Sequence, residues 1–163
     1  SSRRRHTKFR NVTGVQTCAL PICRAGMSTP SSSRQSTSAV RARYAETDKM
    51  GVVYHSNYLV WFEIGRTDWL RATGWTYREM EADGIQLPVI EAHCEYRLGA
   101  RYDDDIEVRT RAKKLSPVRL QFDYEAIRRA DGALLATGHT VHATVDREGR
   151  PVRMPDRVKD LFA

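Results

Sequence analysis

The chain contains one stretch, from about Ser56 to Gly74, whose apolar residues repeat with the period of an α-helix. Its largest apolar residues follow the spacing i, i+3, i+4, i+7 and i+11, which places them in one stripe along the helix: Tyr58, Trp61, Phe62, Gly65 and Trp69. A stripe this aromatic must bury a large area. The sequence therefore predicts a long helix that packs against an extensive apolar surface.

Most of the chain after this helix alternates apolar and polar residues with a period of two. The alternation predicts four β-strands, over residues 90–97, 106–113, 119–126 and 133–146, and a shorter one over 39–45. We expect Val141, Ala143 and Val145 to lie together on one face of the last strand. Turn residues between the strands predict antiparallel neighbours, each with one apolar face.

These elements predict an α+β fold, in which an antiparallel sheet of about five strands wraps around one long central helix. Residues 76–83 and 155–162 are predicted to form two further short helices. The length of 163 residues suits one domain, which we place at residues 38–163.

Residues 1–37 are predicted to be a disordered leader, because they are rich in Arg and Ser and show no periodicity. A transit peptide and a nucleic-acid-binding tail are two interpretations. We favour a third, in which residues 1–26 are not native, because GVQTCALPI at 14–22 resembles a translated sequencing adapter and Met27 is a plausible start.

The net charge of +7 does not by itself indicate a nucleic-acid partner. Residues 1–26 contain six basic residues and no acidic ones, so the rest of the chain has 21 basic and 20 acidic residues. We expect no nucleic-acid binding by the domain and no membrane span. Cys94 is the only cysteine of the predicted domain, which fits a buried, inert thiol and a cytoplasmic location.

A loop carboxylate, Asp48, lies seven residues before the predicted start of the long helix, with Gly51 between them. The first amides of a helix have no internal partners and lie at its positive end, so they can bind a developing oxyanion. A nearby carboxylate can attack a carbonyl or deprotonate a water molecule. This combination suits acyl transfer without a metal or cofactor, although Asp is also common in turns.

The segment from Tyr44 to Thr67, YAETDKMGVVYHSNYLVWFEIGRT, resembles the signature of hotdog proteins of the 4-hydroxybenzoyl-CoA thioesterase type, including their Tol–Pal-associated branch. The resemblance continues through VDREGRP at 145–151. It implies the fold derived above and the hydrolysis of acyl-CoA at sites formed between two subunits of a homodimer or homotetramer.

The resemblance also implies roles for particular residues. Asp48 is the expected catalytic carboxylate, and the amide that polarises the thioester carbonyl falls on or next to His55. The expected substrate-binding residues are Gly51, Val53, Tyr54, Asn57 and Tyr58, and the expected residues for the phosphates of coenzyme A are Lys113, Lys114, Ser116 and Arg119.

Other chemistries remain open at this point. Glu63 is a second candidate carboxylate on the helix, although an i, i+3 ion pair with Arg66 is the simpler interpretation. His55 and Glu63 together suggest a dehydratase or hydratase, and a non-catalytic acyl-CoA-binding protein is a further alternative. His139 and His142 are three residues apart on a strand, so they should face opposite sides and bind no common metal.

Overall fold

The computed structural model describes residues 35–156 of the chain. Five strands form one antiparallel sheet in the order β1-β3-β4-β5-β2: β1 (Gln35–Arg41), β2 (Val89–Tyr96), β3 (Asp105–Ser116), β4 (Arg119–Arg128) and β5 (Ala133–Ala143). The long helix α1 (Asn57–Ala72) is followed by the short helix α2 (Tyr77–Ala82). The predicted fold, one helix covered by a five-stranded antiparallel sheet, is confirmed.

The apolar stripe of α1 is buried against the sheet, as its spacing predicts. The ring of Phe62 stacks on Tyr124 of β4 with 4.5 Å between the ring centroids, and Trp69 meets Phe122 edge to face at 5.5 Å. Gly65 lies where a Cβ atom would collide with the Thr110 side chain of β3. The missing side chain therefore allows the helix backbone to approach the sheet closely.

The strand β5 faces the helix with the opposite set of residues from the one that we predict. The register of β4 and β5 pairs Tyr124 with Gly138 and Leu120 with His142, so Gly138 and His142 lie on the helix side, while Val141 lies on the outer side. Val141 and Val145 are nevertheless buried, at 6% and 8% exposed, so what differs from the expectation is which residues of β5 face the helix. A Cβ atom on Gly138 would collide with the ring of Phe62, which shows that the helix side chains already fill this space.

The first strand also differs from its prediction over 39–45. It begins at Gln35, so residues 35–37, which we place in the leader, belong to the sheet. After Arg41 the chain turns into a short 3-10 segment, Tyr44–Glu46, and the Tyr44 side chain is 78% exposed. Residues 1–34 and 157–163 lie outside the described part, and with them most of the predicted leader and terminal helix.

A buried polar cluster joins the two helices to the sheet. The Arg66 guanidinium, on a residue only 9% exposed, donates through Nε to the Tyr77 hydroxyl at 2.6 Å and lies 3.4 Å from His142 Nε2. Burial, with a further contribution from Arg66, lowers the pKa of His142 to about 4. Glu63 is exposed and makes no ion pair with Arg66, so the predicted i, i+3 pair is absent.

The helices of residues 35–156 include none that is both long enough and apolar enough to cross a membrane. Cys94, the free cysteine of this part of the chain, is half-buried, and burial raises the pKa of its thiol.

Candidate active site

The Asp48 loop is a tight turn whose shape follows from its own side chain and from Gly51. The Asp48 amide donates to the Val52 carbonyl, and the Gly51 amide donates to the Asp48 carbonyl, both at 2.9 Å. Asp48 Oδ1 accepts the Met50 amide at 2.8 Å, an Asx-type bond. Gly51 has φ +75°, a conformation that favours glycine. The turn reverses the chain and half-buries Asp48.

One carbonyl group ties this turn to the start of α1. The Glu46 carbonyl accepts the Tyr54 amide at 2.8 Å and Nδ2 of Asn57 at 3.0 Å. Glu46 is itself buried, and its carboxylate accepts the Arg43 amide at 2.9 Å and the Arg43 guanidinium at 2.8 Å. The turn therefore cannot move away from the helix start without breaking several hydrogen bonds.

The helix start carries two amides without a protein acceptor. Asn57 and Leu59 donate to the carbonyls of Tyr54 and Ser56, at 3.0 and 3.1 Å. Within residues 35–156, no acceptor engages the amides of His55 and Ser56, and the Ser56 side chain makes no capping bond. Free amides at the positive end of a helix are suited to a negatively charged oxygen.

A cavity of about 310 Å³ lies between the turn, the helix start and the end of β2. Five of the predicted site residues line it: Asp48, Val53, Tyr54, His55 and Tyr58. Gly51 and Asn57, predicted to bind substrate, are not in its wall; Gly51 shapes the turn and Asn57 holds the Glu46 carbonyl. The structure thus brings the predicted carboxylate and His55 to one cavity.

The opposite wall of the cavity comes from residues that the sequence analysis did not single out, at the end of β2 and in the loop after it: Tyr96, Arg97, Leu98 and Gly99. The Tyr96 hydroxyl donates to the His55 carbonyl at 3.0 Å, and the Tyr58 hydroxyl accepts the Ala100 amide at 2.9 Å. Partial burial raises the pKa of Tyr96 to about 12. Tyr96 alternates like any core residue of a strand, so no sequence signal marks it.

The four residues predicted for coenzyme A lie elsewhere, around the turn between β3 and β4, and none lines the cavity. Lys113 pairs with Asp123 at 3.1 Å, and Ser116 Oγ accepts the Val118 amide at 3.3 Å. Lys114 and Arg119 are exposed and have no ion pair within residues 35–156. Lys113 and Lys114, being consecutive in a strand, point to opposite faces.

The two histidines of β5 lie on opposite faces of the sheet. His139 is on the outer face, 3.0 Å from a Glu91 carboxylate oxygen, and His142 is buried on the helix face. No cluster of three or more metal-ligating side chains occurs among the described residues. What the cavity does offer is the Asp48 carboxylate and His55, whose amide is unpaired in the described part of the chain; such a pair can attack a carbonyl carbon and stabilise the oxyanion that results.

A five-stranded antiparallel sheet around one helix, with the cavity at the helix start, defines a hotdog-fold protein. The chain belongs to the thioesterase-like superfamily, whose sequence profile matches residues 42–162. The predicted family is thereby confirmed.

Individual relatives agree with this assignment. YneP of Bacillus subtilis (strain 168) is 35% identical over 115 residues, which cover 70% of this chain and 83% of YneP. The acyl-CoA thioesterase YbgC of Haemophilus influenzae is 32% identical over 126 residues, 76% of this chain and 90% of YbgC. The crystal structure of DHNA-CoA thioesterase from Staphylococcus aureus is 36% identical and superposes with a TM-score of 0.70, covering 78% of this chain and 83% of that one.

Proposed function

We propose that this protein hydrolyses acyl-CoA thioesters to a free acid and coenzyme A, with Asp48 as the catalytic carboxylate. The observation that carries the proposal is the cavity that Asp48 shares with His55, whose amide has no protein acceptor among the described residues. Membership of the thioesterase-like superfamily and similarity to acyl-CoA thioesterases support it.

In the proposed reaction, the thioester carbonyl oxygen accepts a hydrogen bond from the free His55 amide at the start of α1. This amide stabilises the negative charge that develops on the oxygen when the carbonyl carbon is attacked. Asp48 either attacks the carbon itself, forming an anhydride that water then opens, or removes a proton from an attacking water molecule. In both cases the carbon–sulfur bond breaks, and coenzyme A leaves as a thiolate that takes up a proton.

Replacing the Asp48 carboxylate tests the proposal directly. Asp48→Asn and Asp48→Ala should lower kcat for a panel of aliphatic and aromatic acyl-CoA thioesters by about 100-fold or more. Asp103→Asn is the matched control, because Asp103 is an exposed carboxylate outside the cavity wall. Circular dichroism checks that the variants fold. Wild-type rates in both Asp48 variants would refute the proposal.

The dehydratase alternative receives less support from the geometry. His55 lines the cavity, but Glu63 is exposed and is not part of the wall, so the two residues do not converge on one substrate. Product analysis with a 3-hydroxyacyl or enoyl thioester distinguishes the reactions, since hydrolysis alone releases a free thiol.

We further propose that the β3–β4 turn binds the phosphates of coenzyme A. Lys114 and Arg119 are the stronger candidates, because they are exposed and have no ion pair in the described part of the chain, whereas Lys113 is paired with Asp123. Neither residue lines the cavity of its own chain, so we expect this turn to serve the site of a partner subunit.

The predicted homodimer or homotetramer has support in the exposed apolar surface. The β2 strand pairs only with β5 in the described sheet and so forms a sheet edge, and its Val89 and Ile90 are 48% and 50% exposed. Val60 of α1 is also exposed. Pairing of two copies through the β2 edge would cover Val89 and Ile90. The oligomeric state and the cytoplasmic location stay predictions.

A further inference from the structure

We propose that Tyr96 is a positioning residue, which holds the backbone of His55 at the start of α1 so that the free His55 amide meets the substrate carbonyl. The inference rests on the proposed thioesterase function. Tyr96 ends β2, on the far side of the cavity from the Asp48 turn, and its hydroxyl donates to the His55 carbonyl at 3.0 Å.

The His55 carbonyl and the Ser56 amide belong to one planar peptide group. Because that group is rigid and trans, the Ser56 N–H points away from Tyr96, and Ser56 is not in the cavity wall. The bond from Tyr96 therefore acts through His55 itself, which lines the cavity and whose own amide has no acceptor within residues 35–156. The preceding part of the chain is held separately, by the bond from the Tyr54 amide to the Glu46 carbonyl at 2.8 Å. His55 is therefore restrained on both sides, and Tyr96 provides the restraint on its carboxyl side.

The ring of Tyr96 is itself held in place by its neighbours. It meets the ring of Tyr58 edge to face, with 5.2 Å between centroids, and the imidazole of His55 in the same way at 6.3 Å. Tyr58 is fully buried, and its hydroxyl accepts the Ala100 amide. A tyrosine hydroxyl is protonated near neutral pH and can donate, and partial burial raises the pKa of Tyr96 further, to about 12.

The position of this bond gives it a role that helix capping does not supply. The Ser56 side chain makes no capping bond, and the other donor that residues 35–156 offer to the His55 carbonyl is the Tyr58 amide, at a longer 3.4 Å. Without the Tyr96 hydroxyl, the His55 carbonyl would lose the shorter of its two bonds, and the His55 backbone would be held mainly from its amino side. A group that must stabilise charge without reorganising depends on such restraint.

Tyr96→Phe removes the hydroxyl and keeps the ring. We expect kcat for an acyl-CoA thioester to fall about 3- to 30-fold, less than on losing a direct donor, with KM changed by less than about 2-fold. Tyr102→Phe is the matched control, because Tyr102 is an exposed tyrosine outside the cavity wall, and it should keep the wild-type kcat. Thermal melting shows whether both variants fold.

A spectroscopic measurement separates positioning from a general loss of structure. In an Asp48→Asn background, a bound aromatic thioester should show a carbonyl stretch lowered by the helix-start amides, and adding Tyr96→Phe should return the frequency part of the way to its value in water. An unchanged frequency or an unchanged kcat in Tyr96→Phe would overturn the positioning role. So would a raised KM with constant kcat, which would place the hydroxyl on the substrate instead.

The two proposals fail in distinguishable ways. If the wild-type protein hydrolyses thioesters and depends on Asp48, but Tyr96→Phe behaves like wild type, only the role of Tyr96 is wrong. If the wild-type protein hydrolyses none of the acyl-CoA thioesters in the panel, the proposed function itself fails.

Discussion

At the scale of single residues, the site depends on backbone groups as much as on side chains. Asp48 is placed by three hydrogen bonds of its own turn, and the turn is placed by the Glu46 carbonyl. Asn57, predicted to touch substrate, instead uses its amide to hold that carbonyl. A sequence pattern identifies residues that cluster near a site, but it does not distinguish those that contact a ligand from those that support them.

The basic residues of the β3–β4 turn lead to a prediction about substrate recognition. Lys114→Ala together with Arg119→Ala should raise KM for acyl-CoA about 5- to 50-fold, because charge-assisted contacts with the phosphates are lost. KM for the matching acyl-pantetheine, which lacks the nucleotide, should stay unchanged. Lys113→Ala is the control, since Lys113 is already paired with Asp123.

If the double variant raised KM equally for acyl-CoA and for acyl-pantetheine, the turn would have no role in binding the phosphates of coenzyme A. They would indicate a general effect on the site.

At the scale of elements, close packing decides which face of β5 meets α1. Gly65 on the helix and Gly138 on the strand both lie where a Cβ atom would collide with a neighbour. The helix and the sheet can therefore come close together at these two glycines, which have no side chains. The large rings of Phe62 and Trp69 fill the space beside them. This complementarity explains why β5 turns Gly138 toward the helix and not Val141, which is buried on the other face.

Gly65→Ala tests the closeness of this contact. Helix propensity alone predicts that the change stabilises α1 by about 1 kcal/mol. We expect a net loss of about 1–3 kcal/mol in the free energy of unfolding, because the new methyl group meets the Thr110 hydroxyl and the Val108 side chain. Urea denaturation measures the difference.

A double-mutant cycle with Thr110→Ala provides the control for this prediction. Thr110 Oγ1 is buried without a hydrogen-bond partner, so removing it costs no hydrogen bond and opens the space that the methyl group introduced by Gly65→Ala needs. The double variant should be more stable than Gly65→Ala alone. A stabilised Gly65→Ala single variant would show that the helix does not pack as closely as the structure places it.

At the scale of the whole molecule, the cluster around Arg66 links α1, α2 and the sheet. His142 Nδ1 lies 3.1 Å from the Leu87 carbonyl, which requires a proton there, so Nε2 is left to accept from Arg66 and Thr140. The neutral imidazole fits a site that already contains a buried guanidinium. Protonating it would place two positive charges together in a core with little solvent.

This arrangement predicts how stability depends on pH. The pKa of His142 is about 4 in the folded protein and close to 6.5 when unfolded, so between these values the unfolded chain binds more protons. The contribution of His142 is fully present above about pH 6.5 and is lost as the pH falls toward 4. It should amount to roughly 3 kcal/mol, from 1.36 kcal/mol per pKa unit.

His142→Gln is the comparison for this prediction, because its amide is neutral at every pH. Its free energy of unfolding should change less than that of the wild type between pH 6.5 and 4, as measured by urea denaturation at a series of pH values. If the free energy of unfolding depended on pH in the same way in the wild type and in His142→Gln, His142 would not be the source of the pH dependence. NMR titration of the wild-type imidazole gives the pKa directly and does not depend on the variant being stable.

The sequence by itself determined the class of fold and the position of the candidate carboxylate. The aromatic stripe of α1 and the alternation of β3 and β4 are local periodicities, and each reports directly on burial. Asp48 could be found as a candidate because the turn and the helix start are adjacent in the chain, so their proximity is also a local property. Tyr54 and His55 came from the resemblance of residues 44–67 to a thioesterase signature.

Tertiary structure alone decided the rest. Tyr96 reaches the His55 carbonyl from 41 residues away, and His142 meets Arg66 across 76 residues, so neither contact leaves a local pattern. The face that β5 presents to the helix depends on the space left by side chains from other elements, and a one-residue change of register reverses it. Spacing along a chain records periodicity and burial, whereas the pairing of distant groups is fixed only when the core packs.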